Sequence, residues 1–321
     1  MAKMKTAEEI RRVVLVGAGI MGEGIAQNLA QAGLYVKLVD QTGEILDRCL
    51  NQIDINLKQF SETGLLHEMP AVIKARIKPV LTGDLLAAVD DCDIMIEAIP
   101  EILELKRQLF TQLDARRPDI ILASNTSSIT ITALAEGLNN PGRVVGVHYF
   151  NPAHIIPLVE IHRGALTLDT AVTIMRELML KTGKKPILVK KVVPGFVVNR
   201  IQGAIAREIG YLIDNEVVTP EDLDTAIKSS VGMRYALFGP MEQEDVTGLD
   251  TAVRIGTQVF KTLSNAAEPP AALKERVSQG FLGVKSGRGW YDYQGRPRTQ
   301  IISERNQKLL KLLKALQDID N

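Results

Sequence analysis

The sequence predicts an α/β protein in two parts. A doubly wound, parallel-sheet domain covers residues 1–192, with a helical insertion at about 42–76, and an all-α domain covers 193–321. Three observations predict it. Short β-branched runs alternate with amphipathic helical patterns over the first part, which is the signature of βαβ units. The alternation stops at Val193-Pro194-Gly195. Beyond that point almost every periodic segment carries the 3.6-residue pattern of a helix.

Residues 12–16 (Arg-Val-Val-Leu-Val) form a continuous apolar run and read as a buried strand. Residues 20–32 read as a helix and Tyr35 to Val39 as a second strand. A longer helical stretch, Thr42 to Ser61, follows and is not needed to complete a βαβ unit. Further strands are expected at 93–97, 119–123, 143–148, 157–161 and 186–190. The helix expected at 101–114 places Leu105, Leu109, Phe110 and Leu113 on one apolar face. In the second part, Thr219-Pro220-Glu221-Asp222 reads as an N-cap, a proline at the first helical position and acids in the first turn. Residues 251–263 and 271–279 are also expected to be helical. The stretch from Gln300 to Leu316 is amphipathic through Ile302, Leu309, Leu312, Leu313 and Leu316, and is expected to dock on its own domain.

Composition excludes several classes of function. Lys and Arg total 38 and so do Asp and Glu, so no net field steers the chain toward nucleic acid or an anionic membrane. No apolar run approaches the roughly 20 residues needed to span a bilayer. Met1 to Arg12 is charged and lacks the apolar core of a signal peptide. Cys49 and Cys92 make neither a disulfide framework nor a metal-ligand spacing, and a reducing cytoplasm is the expected compartment.

Gly17-Ala18-Gly19-Ile20-Met21-Gly22 is a G-x-G-x-x-G run between a strand and a helix, and Asp40 closes the next strand. That context makes it a dinucleotide-binding fingerprint and the domain Rossmann-like. Gly17 permits the tight turn, Gly19 lets the backbone approach a pyrophosphate, and Gly22 lets helix and strand pack closely. The helix N-terminus offers free N–H groups to phosphates. The Asp40 carboxylate accepts ribose hydroxyls and repels a 2′-phosphate, and no Arg or Lys follows until Arg48. NAD is therefore expected rather than NADP.

Three further segments carry chemistry. Ser124-Asn125-Thr126-Ser127-Ser128 follows a strand, and ligands in open α/β sheets bind at strand C-terminal ends. Val147-His148-Tyr149-Phe150-Asn151-Pro152 lies at another strand end, and in Leu158-Val159-Glu160-Ile161 a carboxylate interrupts an apolar strand. Oxidising an alcohol requires a base for the hydroxyl proton, and histidine titrates nearest neutrality. A carboxylate beside it fixes its tautomer. His148 and Glu160 make such a pair if their strands are neighbours. Taken singly, each residue also fits a structural role: His148 a satisfied imidazole, Glu160 a sheet-end partner of a lysine, Ser127 a helix N-cap. His154 and His162 are not spaced as a ligand pair, no acid cluster joins them, and no metal is expected. His67 is expected to face solvent.

These segments, with Pro194-Gly195-Phe196-Val197-Val198-Asn199-Arg200 after them, resemble the L-3-hydroxyacyl-CoA dehydrogenase family, over about Arg12 to Tyr293. The resemblance implies NAD-dependent interconversion of an L-3-hydroxyacyl-CoA, short-chain, and the 3-ketoacyl-CoA, as in fatty acid metabolism. It implies that His148 is the general base, Glu160 its orienting partner, Ser127 a hydrogen-bond donor to the substrate oxygen, and Asn199 a polarising group. It places Glu101, Lys106, Asn151 and Lys285 around the NAD site. Lys285 lies in Val284-Lys285-Ser286-Gly287-Arg288-Gly289-Trp290-Tyr291, similar to the family's terminal signature. It also implies a homodimer joined through the helical domain.

The chain departs from the pattern in two places. The stretch Asn51 to Lys58 is only lightly basic, and Asn56 and Thr63 stand about where the family often has Ser and Lys. Ala153-His154-Ile155-Ile156-Pro157 replaces the Val-Pro-x-Met-Lys stretch common in fatty-acid enzymes. It resembles relatives that act on small hydroxy compounds without CoA, among them a pyridine-derivative dehydrogenase. The alternatives are therefore a dehydrogenase of such a compound (carnitine, a hydroxy acid or a pyridine carbinol) and a silent NAD-binding protein. The β-hydroxyacid dehydrogenases share the glycine run but use a helical lysine, where this chain has Asn199-Arg200.

Overall fold

A computed structural model describes residues 4–320. The first three residues of the charged N-terminal stretch, and Asn321, lie outside the described residues. The chain forms two compact units, 1–197 and 198–321.

The first unit runs β1 (Arg12–Val16), α1 (Ile20–Gln31), β2 (Tyr35–Asp40), α2 (Gly43–Thr63), α3 (Pro70–Lys74), β3 (Ile77–Leu81), α4 (Leu85–Val89), β4 (Ile94–Glu97), α5 (Leu103–Arg116), β5 (Ile121–Ser124), α6 (Ile131–Ala135), β6 (Val144–Tyr149), β7 (Leu158–Arg163), α7 (Asp169–Lys181) and β8 (Lys185–Val189). Its single sheet has the order β3-β2-β1-β4-β5-β6-β7-β8. The chain crosses from one side of β1 to the other between β3 and β4. The C-terminal ends of β1 and β4 therefore border the crevice where such sheets bind ligands.

The sheet is parallel as expected over all but one of its strand pairs. β6 and β7 are antiparallel, and β8 is parallel to β7. The cause is local. Residues 150–157 connect β6 to β7 without a helix, so the chain turns back instead of crossing over. β3 was not foreseen. Its Pro79 is an edge-strand feature, because proline has no N–H to donate to a sheet ladder.

Two apolar layers flank the sheet. Leu15, Leu38 and Ile96 face one layer with Ile25 and Leu29 of α1; Val14, Val39 and Met95 face the other with Phe110 and Leu113 of α5. Each fully buried side chain of this kind contributes about 1.5–3 kcal/mol. The inserted helix α2 starts where Thr42 Oγ1 accepts from Ile45 N, and stops at Gly64, φ 73°. Between them Leu46, Cys49, Ile53, Leu57 and Phe60 recur at helical spacing and are buried. Leu105 departs from its expected role in the α5 core. It is 37% exposed, while Leu109, Phe110 and Leu113 are buried.

The second unit comprises α8 (Val198–Asp214), α9 (Pro220–Ser229), α10 (Val231–Tyr235), α11 (Pro240–Thr247), α12 (Leu249–Val259), α13 (Ala271–Ser278) and α14 (Arg298–Asp320). Thr219 caps α9 through its side chain, with Pro220 at the first position. In α14 the buried residues are Asn306 and Leu310, whereas Leu312, expected on the apolar face, is 48% exposed.

A buried ion pair ties α5 to the start of β6. Asp114 Oδ1 accepts from Arg143 Nη2 at 2.5 Å, and Asp114 Oδ2 accepts from Asn139 N at 2.7 Å. Burial alone would raise the Asp114 pKa, but Arg143 and the Asn139 and Asn140 donors hold it below the ordinary value. The stability this contributes is present above the unfolded carboxyl pKa of about 3.9 and is lost as pH falls through the lower folded value. Asp114→Ala strands a buried guanidinium and is expected to cost about 3–5 kcal/mol in denaturant unfolding at neutral pH. A loss below about 1 kcal/mol would show that the pair is not a structural tie.

Candidate active site

Beyond β1, Gly17 has φ +109°, and a Cβ there would lie 2.6 Å from the Ala98 carbonyl oxygen after β4. The glycine thus closes the two loops at the crevice. A Cβ on Gly22 would lie 1.8 Å from the Gly17 carbonyl oxygen, so the first turn of α1 packs directly on the preceding loop. A Cβ on Gly19 would meet nothing within 4 Å. Gly19 is the N-cap of α1 and makes no side-chain cap, which leaves the helix N-terminal amides open to a ligand.

A cavity of about 700 Å³ opens at this point. Gly17, Gly19, Ile20, Met21 and Asp40 line it, as does the exposed Leu105, and no Lys or Arg is among its lining residues. Asp40 Oδ2 accepts from Ala18 N and Oδ1 from Gln41 N, both at 2.7 Å, which fixes the carboxylate at the end of β2. Open amides, a Gly19 whose Cβ direction is unobstructed and a carboxylate in a cavity lined by no Lys or Arg together fit a dinucleotide lacking a 2′-phosphate.

Glu101 organises the loop after β5. Its Oε1 accepts from Thr126 Oγ1 at 2.6 Å, and from Ser127 N and Ser128 N at 2.9 Å each. Burial would raise its pKa, but the Thr126 and Ser128 hydroxyls and the Lys106 ammonium lower it to about 2. Ser127 Oγ lies 3.4 Å from the same oxygen. The N-cap of α6 is Thr130, so Ser127 is not a capping residue. Asn125 Oδ1 accepts from Tyr149 N at 2.8 Å, which ties this loop to the residue after His148.

Lys106 is 1% exposed and its Nζ is held 2.8 Å from both Glu97 carboxylate oxygens and 3.2 Å from Glu101. Ser124 Oγ donates to the other face of this cluster at Glu97 Oε1. Sequence reasoning missed Glu97, although it interrupts the apolar run Ile94-Met95-Ile96 just as Glu160 interrupts β7.

His148 and Glu160 are directly opposite in the antiparallel register of β6 and β7. His148 Nδ1 lies 2.9 Å from Glu160 Oε2. Glu160 is fully buried and His148 is 6% exposed. Glu160 Oε1 accepts from Val197 N at 3.1 Å. That amide is supplied by a turn in which Gly195 has φ 79° and Phe196 has φ 50°. Phe196 accepts a conformation costly for an aromatic residue, and its ring packs 5.7 Å from that of His148. Phe150 packs 4.5 Å away. Strand register, a carboxylate and two phenyl rings therefore set the imidazole.

His162 corrects the reading that no acid joins it. Strand alternation puts residues 160 and 162 on one face. Ligand atoms of His148, Glu160 and His162 lie within 4.8 Å of one another. Burial and the proximity of His148 lower the His162 pKa to about 4, so this imidazole is neutral at physiological pH. His154 is buried and His67 is exposed.

Asn151 is exposed two residues beyond β6. Asn199 lies in the first turn of α8 and Lys285 in the 283–292 loop, both within the second unit.

The family model "3-hydroxyacyl-CoA dehydrogenase, NAD binding domain" matches residues 12–192, and "3-hydroxyacyl-CoA dehydrogenase, C-terminal domain" matches 195–293. The chain is 34% identical to a 5-formyl-3-hydroxy-2-methylpyridine 4-carboxylate 5-dehydrogenase of Mesorhizobium japonicum, over 96% of this chain and 99% of that one. It is 40% identical to a probable 3-hydroxybutyryl-CoA dehydrogenase of Deinococcus radiodurans, over 87% and 99%. A crystal structure of the pyridine-carboxylic acid dehydrogenase, described as an NAD+ dependent dismutase, superposes with a TM-score of 0.88 at 33% identity, over 96% and 99%. No helix of the described residues is long and apolar enough to cross a membrane.

Removing the Glu101 acceptor should loosen the loop it holds. In Glu101→Ala, amide hydrogen exchange at Ser127 and Ser128 is expected to accelerate roughly tenfold to a hundredfold, the worth of a charge-assisted bond. Unchanged exchange would mean the loop is ordered without it.

Proposed function

Because the chain belongs to the 3-hydroxyacyl-CoA dehydrogenase family, we propose that it interconverts an L-3-hydroxyacyl-CoA, short-chain, and the 3-ketoacyl-CoA, with His148 and Glu160 as its catalytic pair. The chain is an NAD-dependent oxidoreductase acting on CH–OH. The observation that carries the assignment is the buried 2.9 Å contact between His148 Nδ1 and Glu160 Oε2.

The contact keeps a proton on Nδ1 and leaves the Nε2 lone pair to take the hydroxyl proton of the substrate. As the imidazole becomes charged, the neighbouring carboxylate stabilises it in a site from which water is largely excluded. Glu160 cannot turn away, because its other oxygen holds the Val197 amide. Ser127, at the Glu101-bound loop, is assigned the substrate oxygen, and Asn199 its polarisation. NAD held in the cavity beyond β1 would supply the hydride acceptor. Asp40 is assigned its ribose, and Gly17, Gly19, Ile20, Met21 and Gly22 its diphosphate. Glu101, Lys106, Asn151 and Lys285 support that side, with Lys106 acting through Glu97 and Glu101. A homodimer through the helical unit accords with Ile201, Ile205, Val253 and Phe260, whose side chains are exposed in the single chain.

A second reading, a small hydroxy compound without CoA, is favoured by helix α2. Its basic residues are Arg48 and Lys58, against Glu44, Asp47, Asp54 and Glu62. Asn56 is 1% exposed, and the Thr63 hydroxyl donates back to the helix carbonyls of Gln59 and Phe60. That helix therefore presents no basic cluster to the phosphates of CoA. The match to the pyridine-carboxylate enzyme also spans more of the chain than the match to the Deinococcus enzyme.

Following NADH consumption with acetoacetyl-CoA, free 3-keto acids, dehydrocarnitine and pyridine aldehydes separates the two. Turnover of the thioester well above the free compounds supports the first reading, and the reverse order supports the second. On the preferred substrate, His148→Ala should lower kcat by roughly 10²–10⁴ with NADH binding intact. Full activity would reject the base. Asp40→Ala should weaken NADH and narrow the preference over NADPH; unchanged cofactor affinity would remove the ribose role.

A further inference from the structure

His162 is fully buried, and neither of its ring nitrogens has a hydrogen-bond partner among the described residues. A buried imidazole in that condition forgoes about 1–3 kcal/mol for each polar atom left unmade. The surroundings hold it there. Gly146 lies directly across the ladder, and a Cβ on it would sit 2.3 Å from His162 Nδ1, so the missing side chain is what admits the ring. Phe196 covers it at a centroid distance of 3.9 Å.

Two imidazoles and one carboxylate thus converge in a buried recess, their ligand atoms within 4.8 Å of one another. We propose that His148, Glu160 and His162 form a binding site for a borderline transition-metal cation of the Zn²⁺ type, whose occupation switches the catalytic pair off. This rests on the assignment of His148 as base only for its inhibitory half.

The donor set decides the class of ion. Two nitrogens and one oxygen suit Zn²⁺ and Co²⁺, with a fourth position for water. Mg²⁺ and Ca²⁺ require a shell of oxygens and are excluded. Metal bonds of about 2.0–2.2 Å require the three atoms to converge on one point from their present separations of up to 4.8 Å. Inhibition follows from the tautomer. The His148 atom facing Glu160 is Nδ1. A cation bound there displaces its proton, the neutral ring then carries hydrogen on Nε2, and the lone pair that takes the substrate proton is gone. No net proton is consumed, and the Glu160 carboxylate passes from the imidazole to the metal.

The test is equilibrium dialysis with Zn²⁺, and visible absorption with Co²⁺, on the full chain, alongside activity titrations. Wild type should bind one Zn²⁺ that His162→Val binds roughly 100-fold or more weakly, since even outer-shell changes cost about 10–100-fold. Co²⁺ should give tetrahedral d–d bands in wild type that His162→Val lacks. Zn²⁺ should inhibit wild type reversibly on addition of a chelator, Mg²⁺ should not, and His162→Val should keep turnover while resisting Zn²⁺. Gly146→Ala, which crowds the ring without removing a ligand, provides a second variant if His162→Val misfolds, and should also weaken Zn²⁺. Equal Zn²⁺ affinity in wild type and both variants would overturn the site. Binding that depends on His162 but leaves turnover untouched would overturn the inhibitory half and count against His148 as the base.

Discussion

The antiparallel return of β7 onto β6 is the constraint on which the rest of the chemistry depends. In a wholly parallel sheet, a crossover helix would separate these strands in sequence and their side chains would pair in another register. Here eight residues without a helix reverse the chain, and the register sets His148 against Glu160. A buried carboxylate is costly unless every oxygen is engaged. Glu160 meets that condition through His148 on one oxygen and the Val197 amide on the other. The turn that supplies the amide carries a strained phenylalanine, and that same ring packs on both histidines. Fold, strain and imidazole orientation are therefore parts of one arrangement.

The cofactor side obeys a different logic. There the backbone approaches itself closely: Gly17 against Ala98, and Gly22 against Gly17. These contacts fix the crevice, while Gly19 stays open toward the cavity. A second cluster, the buried Lys106–Glu97 pair with the exposed Glu101, lies at the border between the two regions. Glu101 then carries the order onward to the Ser127 loop, and Asn125 carries it to the end of β6.

Much of this was legible in the sequence. The glycine run, Asp40 and the βαβ alternation follow from local geometry that a linear pattern records. The capped helix at Thr219-Pro220 was legible for the same reason. The pairing of His148 with Glu160 was legible only conditionally, since neighbouring strands are a tertiary fact. The edge strand at Ile77–Leu81 was hidden by Pro79, which matters less at an edge than in a sheet centre. Glu97 is harder to single out because its charged partner, Lys106, lies on the following helix. His162 was read by its spacing to other histidines, when the two-residue alternation with Glu160 placed it on the same face. Its room comes from Gly146, 16 residues earlier in sequence and directly opposite on the neighbouring strand.

The central claim concerns which nitrogen of one imidazole holds the proton. Nitrogen-15 chemical shifts of His148 in the free protein at neutral pH report that directly. The account predicts a neutral ring protonated at Nδ1, with a bare Nε2, and a shift toward the other tautomer in Glu160→Gln. A neutral ring protonated at Nε2 in the unaltered protein would contradict it.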